Sequence, residues 1–204
     1  MLVFHYTGMQ SAQAALQRLC DPEWQVSAHY LVEEDGTIWS LVDEGKRAWH
    51  AGVACWRGNS NINARSIGIE MVNPGHEFGY CAFPDAQIAA VQILSLGILG
   101  RHPIPARNVV GHSDVAPTRK SDPGEFFPWA VYAEAGIGLW PAEAEHLEQD
   151  PKVLAEALAV IGYDITDMAA AVKAFQRHFR PSRVTGRTDA GTARRIIGLR
   201  QLLG

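Results

Sequence analysis

Residues 110–124, VGHSDVAPTRKSDPG, place a histidine, two aspartates, a lysine and an arginine among two prolines and two glycines. The turn residues forbid a helix or strand through the whole stretch. Such a loop is either a solvated surface element or a means of bringing metal ligands and a cation to one small volume. His112 and Asp122 are its candidate ligands, and His5, closing the apolar run LVFHY, is a third. Imidazoles and a carboxylate suit zinc, and three protein ligands leave a fourth position for water. That water ionises near neutral pH and becomes a nucleophile. Glu70, in RSIGIEMV, could take its proton. Lys120 lies two residues before Asp122 and on the same side of an extended loop, where it could stabilise the oxyanion formed on a carbonyl. Each group also has a plainer role: a hydrogen-bonded core histidine, half of a structural ion pair, a solvated lysine. Spacing alone does not choose His5 over His29 or His50.

The elements that must hold these residues follow from periodicity. LVFHY (2–6) reads as a short buried strand and SAQAALQRL (11–19) as a helix capped by Ser11. SAHYLVEEDGTIWSLV (27–42) alternates about Asp35-Gly36, a hairpin signal. In residues 65–72 the alternation sets Glu70 on the face opposite Ile67, Ile69 and Met71, so the carboxylate either lines a cavity or is paired. Residues 84–102 carry a helical apolar stripe at 88, 91, 94 and 98, PARNVVGH gives a strand ending at His112, and a helix begins near Phe127-Pro128-Trp129. The expected fold is α/β, a mixed central sheet flanked by helices.

After Trp140 the composition shifts. The acidic stretch 141–153 reads as a linker, and residues 151–204 as a three-helix unit, with Gly162 ending the first helix and Thr166 and Asp189 capping the other two. A unit of about fifty residues is marginal alone but can fold against a larger domain. The expected division is a catalytic domain at 1–141, a linker at 142–150 and a helical domain at 151–204.

Composition narrows the class of protein. The 204 residues are 47% hydrophobic and 20% charged, ordinary values for a globular chain. A net charge of -4 without a basic block argues against nucleic acid. No apolar run reaches the length of a membrane span. The start, MLVFHYTG, lacks signal-peptide features, and Cys20, Cys55 and Cys81 are odd in number without metal-ligand spacing. Both features point to a reducing, cytoplasmic setting, with the periplasm as the alternative should the native chain carry an export signal.

The ordered blocks HYTG, SAHYLV, AWHAG, SIGIE and GHSDVAPTRKSDPG resemble the zinc-dependent N-acetylmuramoyl-L-alanine amidases of the AmpD and AmiD type, which share the fold of peptidoglycan recognition proteins. The resemblance covers residues 2 to about 141. It implies that His5, His112 and Asp122 bind Zn2+, that Glu70 is the catalytic acid/base and that Lys120 assists the transition state. The implied reaction is hydrolysis of the amide between N-acetylmuramic acid and L-alanine of the stem peptide. A cytosolic enzyme would meet 1,6-anhydro-muropeptides returned for recycling. A wall-remodelling amidase and a non-catalytic muropeptide sensor are the alternatives, and the complete catalytic set weighs against the sensor.

Within the same resemblance, His29, Trp49, His50, Trp56, Arg57 and Asn63 are the candidate substrate contacts. Aromatic faces pack on sugars and arginine pairs with carboxylates. Where relatives often read R-x-N-D before SIGIE, this chain reads NINAR, with Asn61 and Ala64 in place of the arginine and aspartate. The tail, through IGY, FQRHFRP and DAGTARRI, resembles a three-helix peptidoglycan-binding module, which makes peptidoglycan a second expected partner.

Overall fold

The computed structural model describes residues 1–204. Strands β1 (Leu2–Tyr6), β2 (Tyr30–Val32), β3 (Ile38–Ser40), β4 (Ile67–Met71) and β5 (Val109–Gly111) form one mixed sheet in the order β3-β2-β4-β1-β5. β1 runs parallel to β4 and β5, β2 runs parallel to β4, and only the β2–β3 hairpin is antiparallel. The helices are α1 (Ala12–Cys20), α2 (Gly75–Phe78), α3 (Asp85–Arg101), α4 (His112–Val115), α5 (Trp129–Glu134), α6 (Pro151–Ile161), α7 (Met168–Phe179) and α8 (Ala190–Leu202). No helix is long and apolar enough to cross a membrane.

The period of two in the central strands sorts side chains between two cores. Leu2, Phe4, Ile67, Ile69, Met71 and Val109 pack under α3 with Phe127, Trp129 and Tyr132. The expected α3 stripe meets this face, with Val91 and Ile98 buried and Ile88 and Leu94 partly so. Val3 and Val110 point the other way, towards Trp56, Ile62 and the C-terminal helices. His5 and Glu70 share that second face by alternation.

The C-terminal helices share this core with the sheet. Leu158, Ile161, Tyr163, Phe175 and Phe179 join Val3, Trp56, Val110 and Val115 in one apolar cluster. The stretch 141–153, expected as a linker, is packed down as well: Ala144 N–H donates to the Arg194 carbonyl. Helix α7 is capped by Asp167, which accepts from Ala170 N–H, rather than by Thr166, whose own N–H is taken by Asp164. Asp189 caps α8 as expected.

At the far end of α3, Arg101 grips Glu44 at 2.6 and 3.1 Å, and Tyr30 and His102 donate to the same carboxylate at 2.7 Å each. The Arg101 bonds, against the cost of burial and with help from Tyr30 and His102, hold the Glu44 carboxyl down at about 2. A depressed carboxyl adds stability that is complete above its unfolded value, near 4.5, and lost as pH falls towards 2. Glu44→Gln is therefore expected to flatten the fall of Tm between pH 4.5 and 2. An unchanged profile would place the acid sensitivity elsewhere.

Candidate active site

Parallel strands carry their ligand sites at their carboxyl ends. β1 delivers His5 there, and the register pairs His5 with Glu70 on β4. On the other side Phe4 pairs with Gly111, so His112, the next residue after β5, stands level with His5. The loop after α4 then returns Asp122 beneath them, with Ser113 N–H donating to the Asp122 carbonyl at 2.8 Å.

His5 Nδ1, His112 Nδ1 and Asp122 Oδ2 lie 2.9 to 3.0 Å from one another, and all three residues are buried. His112 Nε2–H donates to the Ala51 carbonyl at 3.0 Å, which leaves its Nδ1 without a proton when the ring is neutral. Burial, then His112, hold the His5 imidazole down at about 4, so it is neutral at physiological pH. Burial raises the Asp122 carboxyl, and the His112 and His5 rings, when they carry a proton on Nδ1, lower it below the usual range by charge and hydrogen bonding. Two imidazole nitrogens and a carboxylate oxygen converging at this spacing form a donor set for a cation, and its edges approach the roughly 3.3 Å that tetrahedral zinc with bonds near 2.0–2.1 Å would impose.

Glu70 stands beside this set with Oε1 4.0 Å from His5 Nδ1, outside the ligand triangle. Its side chain is only 13% exposed, and Oε2 has no hydrogen-bond partner. Burial, and then the Asp122 charge, push the Glu70 carboxyl well up, while Lys120 opposes them. Lys120 is exposed and lines the cleft with Glu70, His50, His112 and Asp122. The cleft has a volume of about 630 Å3 and is walled at its rim by Tyr6, Trp49 and His76. A carboxylate with one unpartnered oxygen, an exposed lysine and a triad able to hold a cation around one cleft suit attack of water on a carbonyl.

This chain matches the family described as N-acetylmuramoyl-L-alanine amidase over residues 1–125. It is 40% identical over 220 residues to the amidase AmiD of Escherichia coli, covering 94% of this chain and 79% of the relative. The chain belongs to the N-acetylmuramoyl-L-alanine amidase family. A structure of AmiD from E. coli, in complex with the substrate anhydro-N-acetylmuramic acid-L-Ala-D-gamma-Glu-L-Lys, superposes with a TM-score of 0.91 over all of this chain and 89% of that one, at 38% identity. AmpDh3 from Pseudomonas aeruginosa does so with a TM-score of 0.90 over 99% of this chain and 91% of that one, at 35% identity. The 1,6-anhydro-N-acetylmuramyl-L-alanine amidase AmpD of Citrobacter freundii is 42% identical over 108 residues, just over half of either chain (53% and 56%).

The remaining sequence candidates of this amidase divide. Trp49 is 52% exposed on the cleft rim with the Arg47 guanidinium 5.1 Å from its ring centre, and His50 also lines the cleft. Trp56 does not reach it. Its indole is buried 5.2 Å from the Tyr163 ring, under the C-terminal helices. Arg57 sits beside it, with a positive φ and its N–H on the Gly162 carbonyl. Gly162 is needed there, since a Cβ would lie 2.8 Å from both Trp56 and Arg57. His29 is likewise structural, its Nδ1 accepting from Gly68 N–H and its Nε2 donating to the Lys46 carbonyl. Asn63 is buried, and Oδ1 accepts from the backbone N–H groups of His50 and Ala51.

Two contributors escaped the sequence reading. Arg119 lines the cleft and clamps the carbonyls of Ala51 and Val53; its only signal was a second cation beside Lys120. Asp114, fully buried, accepts from Gly111 N–H, from His178 Nδ1 at 2.7 Å and from Tyr163 O–H at 2.6 Å. It thereby ties the segment that carries His112 to the C-terminal helices.

Proposed function

We propose that this amidase is a zinc enzyme that hydrolyses the bond between N-acetylmuramic acid, in its 1,6-anhydro form, and L-alanine of soluble muropeptides. The observation that carries the reading is the His5–His112–Asp122 triangle with the free Glu70 oxygen beside it. Zinc in such a site supplies a water acidified to near neutrality and a Lewis acid for the carbonyl. Glu70 accepts the proton of the attacking water and returns it to the leaving α-amine of L-alanine; its raised pKa suits both transfers. Lys120 offsets the negative charge that develops on the carbonyl oxygen. Trp49 supports the sugar at the rim. The relatives support the anhydro-muropeptide: AmiD was solved with such a substrate, AmpDh3 with anhydromuramic pentapeptide, and AmpD is a 1,6-anhydro-N-acetylmuramyl-L-alanine amidase.

The test is mass spectrometry of products from purified anhydro-muropeptides, reduced muropeptides and intact sacculi. Release of free stem peptide fastest from the anhydro substrate supports the reading. Equal or faster release from sacculi would reassign the enzyme to wall remodelling, and binding without products would make it a sensor. The C-terminal helices form part of this proposal as a peptidoglycan contact, and a pull-down on sacculi tests it. The three free cysteines support a reducing compartment; recovery of the native protein from the periplasm would overturn that placement and leave the chemistry intact.

Lys120→Ala is expected to lower kcat by about tenfold to a hundredfold with little change in KM. A rigid oxyanion donor is worth roughly a hundredfold to a thousandfold, and an exposed lysine is screened by water and salt. A rise in KM at constant kcat would make Lys120 a binding residue instead.

A further inference from the structure

We propose that the dipeptide His50–Ala51 is the positioning device of the metal centre, fixing both ligand imidazoles as the tautomer that turns a bare Nδ1 towards Asp122. The inference rests on the zinc reading above and assigns roles to His50, Ser66 and Asn63 that concern the ligands rather than the substrate.

The chain of protons can be followed from one end. Ser66 O–H donates its only proton to the Ile62 carbonyl at 2.7 Å. Its oxygen therefore acts as acceptor towards His50 Nε2, 3.2 Å away, and the His50 ring proton is on Nε2. His50 Nδ1 is then an acceptor, and the group facing it at 2.9 Å is His5 Nε2. That contact is a hydrogen bond only if His5 carries its proton on Nε2, which leaves His5 Nδ1 bare. The next residue does the same for the other ligand, because the Ala51 carbonyl takes the His112 Nε2 proton. One dipeptide thus sets both tautomers.

The dipeptide is itself held from three sides. Asn63 Oδ1 accepts both of its backbone N–H groups, at 3.0 and 2.7 Å. Arg119 Nη2 donates to the Ala51 carbonyl at 3.0 Å. The His50 ring lies against Gly68 of β4, where a Cβ would come within 2.6–2.8 Å of the imidazole, so the strand leaves a seat for it. Partners that orient metal-bound histidines typically change metal affinity by about tenfold to a hundredfold.

The test measures zinc affinity by chelator competition, and the visible absorption of the cobalt-substituted protein, for wild type, His50→Phe, His50→Asn and Ser66→Ala. Phe fills the seat without an acceptor, and Asn restores an acceptor near the place of Nδ1. We expect His50→Phe to weaken zinc about tenfold to a hundredfold and alter the cobalt spectrum. His50→Asn should recover part of the loss, and Ser66→Ala should weaken zinc several-fold although it touches no ligand. If Phe at position 50 prevents folding, Ser66→Ala with an intact ring and seat decides the matter. Zinc affinity within twofold of wild type and an unchanged cobalt spectrum in the folded variants would overturn the inference, as would equal losses for Phe and Asn. A wild-type protein that takes up no zinc would instead overturn the metal reading itself, and this inference with it.

Discussion

Glu70→Gln is expected to retain one zinc per chain and to lose activity by roughly a hundredfold to ten-thousandfold, the range of a positioned general base. The metal should stay because Glu70 stands 4.0 Å from His5 Nδ1, whereas the three ligand atoms lie within 3.0 Å of each other. The rate should fall because an uncharged amide cannot accept the water's proton, while the shape of the buried pocket is preserved. His112→Ala gives the contrast: it removes a buried ligand atom, so zinc and turnover should vanish together. Metal analysis and single-turnover kinetics on the two variants separate the roles. Loss of zinc from Glu70→Gln would make that carboxylate a ligand or a fold-supporting partner, and full turnover by a metal-free protein would end the zinc mechanism.

Removal of residues 151–204 is expected to abolish cooperative folding, although every residue lining the cleft lies before position 123. The cut would expose Val3, Trp56, Val110 and Val115, all now buried against the C-terminal helices. Each large apolar side chain returned to water costs about 1.5–3 kcal/mol, so a few of them rival the whole stability of a domain, roughly 5–15 kcal/mol. It would also leave Asp114, two residues from His112, with the Gly111 N–H as its remaining partner among its three. Tyr163→Phe isolates that last contribution. It should lower stability by about 1–3 kcal/mol, since a buried carboxylate loses a donor, and shift the single melting transition downwards. A truncated chain that melts cooperatively and cleaves muropeptides at the full rate would show that the helices are an appendage.

Strand β1, the β2–β3 hairpin, β4 and α3 could be read directly, because alternation and helical stripes record which face of an element is buried. The placement of Glu70 opposite Ile69 and Met71 followed from the same period of two. Helix α4 was not read: its four residues carry no period, and His112 opens it rather than simply ending a strand. The cap of α7 was misplaced by one residue because Thr166 and Asp167 are both good cap formers, and only the path of the chain chooses between them.

The sequence alone determined the long helices and the strands, the family and the residue types able to bind a metal and move a proton, since these are carried by local periodicity and by ordered motifs. Spacing and periodicity do not choose His5 over His29 or His50, which are chemically alike; only the resemblance of the ordered motifs singled out His5. Tertiary structure brings His5, and neither of the others, to Asp122 and His112: parallel pairing sets His5 level with Glu70 and His112, while His29 turns to Gly68 and His50 donates to Ser66 behind the triangle. Tertiary structure also withdrew Trp56 and Arg57 from the cleft. An exposed aromatic at a binding rim and a buried one at a helix seam have the same local signature, and what separates them is the surface offered by helices a hundred residues further along the chain.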